Sequence, residues 1–380
     1  MFSADAGREA PRVGVRIGDS VLDLARALGD DVFAEPSLNA FMAQGRARWS
    51  EVRARITELL TGERHRGAVE AAVRPLSAVR LHLPFAPGDY VDFFGNEYHA
   101  ANAGRLFRPG GEPLGPNWKH LPVGYHGRSG TIVPSGTPVP RPRGQRPGQH
   151  PAEDGPTFGP SRRLDFEAEV GFVIGAGSAA PVRVSEFADH VFGVFLLNDW
   201  SARDLQAWES RPLGPFLAKS FATSVSPWVV PLDALEHARV SPPPRDPEPL
   251  PYLADSGKWG LDLTLEVRLN GQLVSRPPFA ATYWTAAQML AHLTSNGAST
   301  RPGDLFASGT VSGPGRDQCG CLLELSWGGT EPLALADGSV RSYLEDGDEV
   351  TIGATAPAAD GGRIGFGEVT GQILPSTPLP

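Results

Sequence analysis

The run Leu164-Asp165-Phe166-Glu167-Ala168-Glu169-Val170-Gly171-Phe172-Val173-Ile174 constrains this chain more than any other segment. Leu164, Phe166, Ala168, Val170, Phe172 and Ile174 recur at every second position. Period two marks a strand with one face in a core, so a sheet is required here. The other face then gathers Asp165, Glu167 and Glu169. Successive same-face side chains on a strand lie only about 7 Å apart. Like charges at that spacing are either hydrated or neutralised by a cation. A solvated sheet face is the commoner outcome for an isolated run, and the strand alone leaves both open.

A length of 380 residues suggests two or three domains. The 45 glycines and 37 prolines are spread along the chain among many short β-like runs, which points to a loop-rich, mostly β protein of α+β type. The net charge of -9 and the absence of a basic run argue against a nucleic-acid partner. No apolar stretch approaches the roughly 20 residues of a membrane span, and no secretory signal is visible. Cys319 and Cys321, one residue apart, suit neither a local disulfide nor a zinc site. A reducing cytoplasm is the expected compartment.

Along the chain, Val13 to Leu28 reads as two short strands and a short helix, and Leu38 to Thr61 as a helical pair. A Pro/Gly boundary at 81–88 separates an N-terminal domain, 1–84, from a C-terminal one, 85–380. A helix is expected over Asn96 to Leu106, carrying His99. A long irregular stretch follows, Pro109 to Arg163, whose tail from Pro140 to Gly159 reads as a flexible surface excursion. Strands are expected at Val191 to Asn198, Trp228 to Pro231, Leu261 to Leu269, Leu322 to Trp327 and Val350 to Ala354, and a helix at Ala286 to Thr294.

Asp199 ends the apolar run Val191 to Leu197, where it could line a site or cap the following segment. Asp92 lies among Tyr90, Phe93 and Phe94. Asp92, Glu167, Glu169 and Asp199 would make an oxygen-only ligand set, suited to Ca²⁺ or Mg²⁺ and not to zinc or copper. Spacing cannot show that they converge.

Six segments carry a further signal: Asp89 to Phe94 (DYVDFF), Pro116 to Arg128 (PNWKHLPVGYHGR), Asn198 to Asp204 (NDWSARD), Pro212 to Phe221 (PLGPFLAKSF), Arg301 to Thr310 (RPGDLFASGT) and Arg363 to Gly367 (RIGFG). In this order they closely resemble the fumarylacetoacetase family, over nearly the whole chain. The resemblance implies a small SH3-like β-barrel domain at the N-terminus, followed by a larger domain with a mixed β-sandwich roll. It implies a homodimer that hydrolyses a carbon–carbon bond in a 1,3-diketone acid, with a divalent cation and no organic cofactor. Fumarylacetoacetate, in tyrosine and phenylalanine catabolism, would be the substrate.

Residue by residue, the resemblance makes Asp92, Glu167, Glu169 and Asp199 the cation ligands. It makes His99 the general base and Glu324 the carboxylate that orients it. Arg203, Gln206 and Lys219 would stabilise the oxyanion, and Arg108, Tyr125 and Thr310 would hold the substrate's polar ends. A second, structural cation would sit near Asp199, the Lys219 carbonyl and Thr223. Two positions depart from the animal family pattern, which has tyrosine where this chain has Phe94 and Ser210. The pocket is therefore expected to grip the distal carboxylate differently, which keeps open an acylpyruvase or other diketone-acid hydrolase. A catalytically inactive binding protein is disfavoured by the full set of His99, Glu324, Lys219 and the four carboxylates. Asp165 is left without a partner and is expected to face water or a loop.

Overall fold

The computed structural model describes residues 1–4, 9–148, 155–255 and 257–378. Its centre is an eight-stranded mixed sheet. The strands are β1 (Tyr90–Phe93), β2 (Gly124–His126), β3 (Ile132–Pro134), β4 (Ala168–Ile174), β5 (Val191–Asp199), β6 (Thr223–Val225), β7 (Val230–Pro231) and β8 (Leu305–Ala307). Their order is β2-β1-β8-β4-β5-β6-β3, with β7 also paired to β5. The pairs β1–β8 and β3–β6 are parallel and the others antiparallel.

The strand expected over 164–174 is broken: Leu164–Asp165 pairs with Ser201–Ala202, residues 166–167 are in no strand, and β4 covers the rest, with both its faces and all of β5 buried. Ala168, Val170, Phe172, Val194 and Leu196 pack into a core shared with Leu265, Val267, Val350, Ile352 and Val369 of a six-stranded sheet. That sheet is half-buried: its strand Glu349–Pro357 alternates strictly between buried and partly exposed residues. The two sheets form the sandwich. The opposite face of the central sheet presents Val173, Phe192, Phe195 and Leu197 to a second core with Phe33, Phe41, Trp49 and Phe85. Edge-to-face contacts of Phe192 with Phe41 and Trp49, at 5.8 and 5.4 Å between centroids, join the two. Tyr90 of β1 lies in this second core, so the carboxylates of the same face sit at the end of an apolar layer.

Among residues 1–84, Gly14–Ile17, Ser20–Asp23 and Val73–Pro75 form one antiparallel sheet, and Phe2–Ser3 pairs separately with Arg80–Leu81. These pairings make two small sheets and no single closed barrel among the described residues. The helices Asn39–Met42, Arg46–Thr61 and Ala286–Thr294 follow the helical spacing of their apolar residues.

Several expectations need correction. The stretch Pro109 to Arg163 contains strands of two to four residues, too short for periodicity to reveal. Arg143–Arg146 pairs with Thr157–Pro160, so the expected surface excursion is anchored by a hairpin; residues 149–154 lie outside the described ones. The strand expected at Trp228 to Pro231 is only Val230–Pro231. Leu322–Leu325 is a helical turn and not a strand. All four of its residues are buried, and a four-residue run is too short for its period to tell strand from helix.

Candidate active site

The helix α1 (Glu97–Phe107) follows β1 directly. Asn96 caps it, its side-chain oxygen accepting from the His99 N–H at 3.0 Å. The Asn96 amide also donates to the Ser312 carbonyl at 2.8 Å, which fixes the helix start against the segment after β8. His99 therefore enters the interior at the end of the sheet, 3% exposed. Its Nδ1 lies 2.6 Å from Glu324 Oε2. Glu324 also accepts from Asn102 Nδ2 at 2.8 Å, Ser312 Oγ at 2.8 Å and Cys321 Sγ at 3.2 Å. Burial would raise Glu324, but the His99 charge and these donors hold its carboxyl below the ordinary range. A carboxylate at Nδ1 fixes the tautomer and leaves Nε2 as the working nitrogen. Phe94 packs edge-on to the His99 ring, 5.3 Å between centroids.

His99 Nε2 lies 3.9 Å from Glu167 Oε1, where the second half of the site begins. One oxygen from each of Asp92, Glu167, Glu169 and Asp199 lies within 4.8 Å of the others, and all four residues are buried. Sheet geometry causes the convergence. Asp92 is the penultimate residue of β1, Glu169 the second of β4, and Asp199 ends β5 with its N–H on the Glu167 carbonyl at 3.1 Å. Lys219 Nζ contacts Glu167 Oε2 and lies 2.6 Å from Asp199 Oδ2. Arg203, at the start of α2 (Arg203–Glu209), reaches Glu167 Oε1 at 2.7 Å and Gln206 Oε1 at 3.1 Å through Nη1. The Tyr125 hydroxyl lies 2.8 Å from Asp92 Oδ2 and 3.0 Å from Asp199 Oδ2.

The charges do not balance. Five buried carboxylates, counting Asp165, face two buried cations, Lys219 and Arg203. Both oxygens of Glu169 and Oδ1 of Asp92 are buried without a hydrogen-bond partner. Burial, reinforced by Asp92, Asp199 and Glu167, pushes Glu169 well above the usual carboxylate range. Burial and Asp199 do the same to Asp92. Glu167 moves the other way: burial would raise it, but Lys219, Arg203 and His99 outweigh that. Unsatisfied buried oxygens of this kind are rare and costly. An oxygen-only set with spare lone pairs fits a hard divalent cation.

The remaining expected residues divide. The Thr310 hydroxyl is buried and unpartnered, and so free to bind. It follows Gly309, whose φ of +76° and approach of 2.2 Å between an added Cβ and the Phe93 carbonyl admit only glycine. Thr223 Oγ1 lies 3.5 Å from Asp199 Oδ1. Ser210 Oγ bonds back to the Gln206 carbonyl of its own helix at 2.5 Å. Arg108 is exposed and donates to the Pro113 carbonyl at 2.8 Å, so it stabilises the turn after α1 and is not drawn into the cluster.

Asp165 overturns its expectation. It is fully buried and accepts from the Leu322 and Leu323 N–H groups and from Arg203 Nε, at 2.7 to 2.9 Å. Asn102 and Ser312 were not singled out from the sequence. Asn102 could have been, standing one helical turn after His99 on the same face.

Residues 91–374 match the family model described as fumarylacetoacetate (FAA) hydrolase C-terminal, and residues 1–84 the model described as fumarylacetoacetase N-terminal. The chain belongs to the fumarylacetoacetase family. Fumarylacetoacetase of Arabidopsis thaliana is 46% identical over 392 residues, covering 97% of this chain and 92% of that protein. Fumarylacetoacetase of Homo sapiens is 44% identical over 393 residues, covering 97% and 93%. The same fold occurs in a fumarylacetoacetate hydrolase from Exiguobacterium antarcticum, with a TM-score of 0.57, 18% identity and coverage of 98% and 99%. It occurs also in a maleylpyruvate hydrolase from Sphingobium sp. SYK-6 in complex with manganese(II) and pyruvate, with a TM-score of 0.54, 19% identity and coverage of 99% and 100%. Fumarylacetoacetases are hydrolases of carbon–carbon bonds, and this member carries the histidine–carboxylate pair and the acidic cluster within one site.

Proposed function

We propose that this chain hydrolyses fumarylacetoacetate to fumarate and acetoacetate. The observation that carries the reading is the placement of His99 Nε2 3.9 Å from Glu167, at the edge of a carboxylate cluster with unsatisfied oxygens. Asp92, Glu167, Glu169 and Asp199 would hold the cation, Ca²⁺ or Mg²⁺. When bound, the ion supplies Lewis acidity toward the oxygens of the diketone.

His99 Nε2 takes a proton from water as the water oxygen bonds to the carbonyl carbon. Glu324 holds the Nδ1 proton and stabilises the imidazolium. Lys219, with Arg203 and Gln206 behind it, supplies donors and positive charge to the alkoxide. The carbon–carbon bond then breaks, its electron pair going to the departing acetoacetate carbon, which takes up the proton that His99 drew from water. Thr310 and Tyr125 hold the substrate's polar ends, and Arg108 would join them by leaving the Pro113 carbonyl. Phe94 and Ser210 lie at substrate-facing positions, and the loss of one hydrogen bond to a charged group there weakens binding by about 1.5–3 kcal/mol. Thr223 and the Lys219 carbonyl belong, with Asp199, to a second, structural cation site.

The same reading makes the protein a cytoplasmic homodimer of tyrosine and phenylalanine catabolism. Among the described residues no helix is long and apolar enough to cross a membrane. The reading divides the chain into 1–84, an SH3-like module, and 85–380, supported by the two family-model spans.

The test is the loss of diketone absorbance when fumarylacetoacetate is added, with and without chelator. Turnover that chelation abolishes and Ca²⁺ or Mg²⁺ restores is expected. No turnover with cation present would sink the reading. Preference for shorter acylpyruvates, reversed by Phe94→Tyr or Ser210→Tyr, would move it to an acylpyruvase.

A further inference from the structure

Asp165 takes no part in the chemistry above, yet it is fully buried between the two halves of the site. Its Oδ1 accepts from the Leu322 N–H at 2.7 Å, and its Oδ2 from the Leu323 N–H at 2.9 Å. These two residues open the helical turn α3 (Leu322–Leu325), which carries Glu324. The same Oδ2 accepts from Arg203 Nε at 2.9 Å and lies 2.9 Å from Nη2. The remaining arm of that guanidinium, Nη1, holds Glu167 at 2.7 Å.

One carboxylate thus grips the turn that orients the histidine and the cation that steadies the acidic cluster. We propose that Asp165 is a positioning residue that locks the His99–Glu324 pair to the carboxylate cluster, and that it does so through Arg203. The inference rests on the function proposed above.

Two physical effects support it. Arg203 is shared between Asp165 and Glu167. Without Asp165 its charge falls on Glu167 alone and competes with a bound cation. An asparagine cannot replace the carboxylate. The two peptide N–H groups point at different oxygens, so either amide orientation sets an NH₂ against a donor.

The test is calorimetric titration with Ca²⁺, repeated with Mg²⁺, without substrate. It compares wild type, Asp165→Asn, Arg203→Gln and the double variant, with melting temperatures to confirm folding. Asp165→Asn is expected to lose about 10–100-fold in affinity and to lower kcat more than it raises KM. In the Arg203→Gln background the same change should cost about twofold or less, because the route is already cut. Affinity within about twofold of wild type, or an equal loss in both backgrounds, would overturn the proposal. If Asp165→Asn does not fold, Arg203→Lys decides the matter. It keeps the charge but cannot bridge two carboxylates, so wild-type kcat and affinity there would overturn the strut. A wild-type protein that binds neither ion defeats the cation reading itself, which is a separate result from equal binding by wild type and variant.

Discussion

Glu169 and Glu324 are both buried glutamates of one site, and their surroundings are opposite. Glu324 is surrounded by donors from His99, Asn102, Ser312 and Cys321. Glu169 has no protein donor on either oxygen. A buried carboxylate satisfied from within orients its neighbours, whereas one left bare is completed from outside the chain. Burial does not separate these two glutamates; the count of protein donors on each does.

The sharpest way to break this contrast is to remove the working group on each side. His99→Ala should lower kcat by about 10²–10⁴ while Ca²⁺ affinity, read by calorimetry, stays near wild type. Glu169→Gln should weaken Ca²⁺ binding by more than about 100-fold, beyond the usual effect of a residue behind the ligands. Tight Ca²⁺ binding by Glu169→Gln would erase the distinction.

The next effect is on stability, and its sign differs between the two residues. Glu324→Gln should destabilise the protein by about 1–3 kcal/mol, because donors built for a charged acceptor lose it. Glu169→Gln should raise the melting temperature of the cation-free protein, because it removes one of several like charges. Thermal melting in chelator reads both, and shifts of the same sign would contradict the comparison.

Acid should close the gap on one side. The folded-state value of Glu324 is depressed, so its stabilisation is complete above the ordinary glutamate value near pH 4.3 and is lost as pH falls through the lower folded value. The melting-temperature difference between wild type and Glu324→Gln should hold from about pH 7 to 5 and narrow below about pH 4. Widening under acid would reverse the assignment.

The smallest expected effect is that of Cys321→Ala, which removes one weak thiol donor from Glu324. It should cost under about 1 kcal/mol of stability and less than tenfold in kcat, roughly the equivalent of that energy. A larger loss, in melting or in turnover, would make the thiol a principal support of Glu324.

Much of this was legible in the chain. Period two in 164–174 forced a sheet, and the helix of His99 and the long strand ending at Asp199 followed from their patterns. The clustered carboxylates and the histidine pair were legible through motif likeness, not through spacing. Strands of two to four residues between Pro109 and Arg163 left no periodic trace. The turn Leu322–Leu325 was not legible because four buried residues are too few to show a period.

The sequence by itself determined which residues could do the chemistry: an alternating run edged with carboxylates, a histidine on an expected helix, and an oxygen-only set without thiol or zinc spacing. Only the tertiary structure decided which carboxylate does which task. Asp165, Glu167 and Glu169 stand at equivalent positions in the alternation, two residues apart. Their roles are set by donors that arrive from elsewhere in the chain. Asp165 meets the Leu322 and Leu323 peptides and Arg203, Glu167 meets Lys219 and Arg203, and Glu169 meets no donor. Local pattern fixes the direction of a side chain, but its electrostatic environment is a sum over groups distant in sequence, and that sum exists only once the chain has folded.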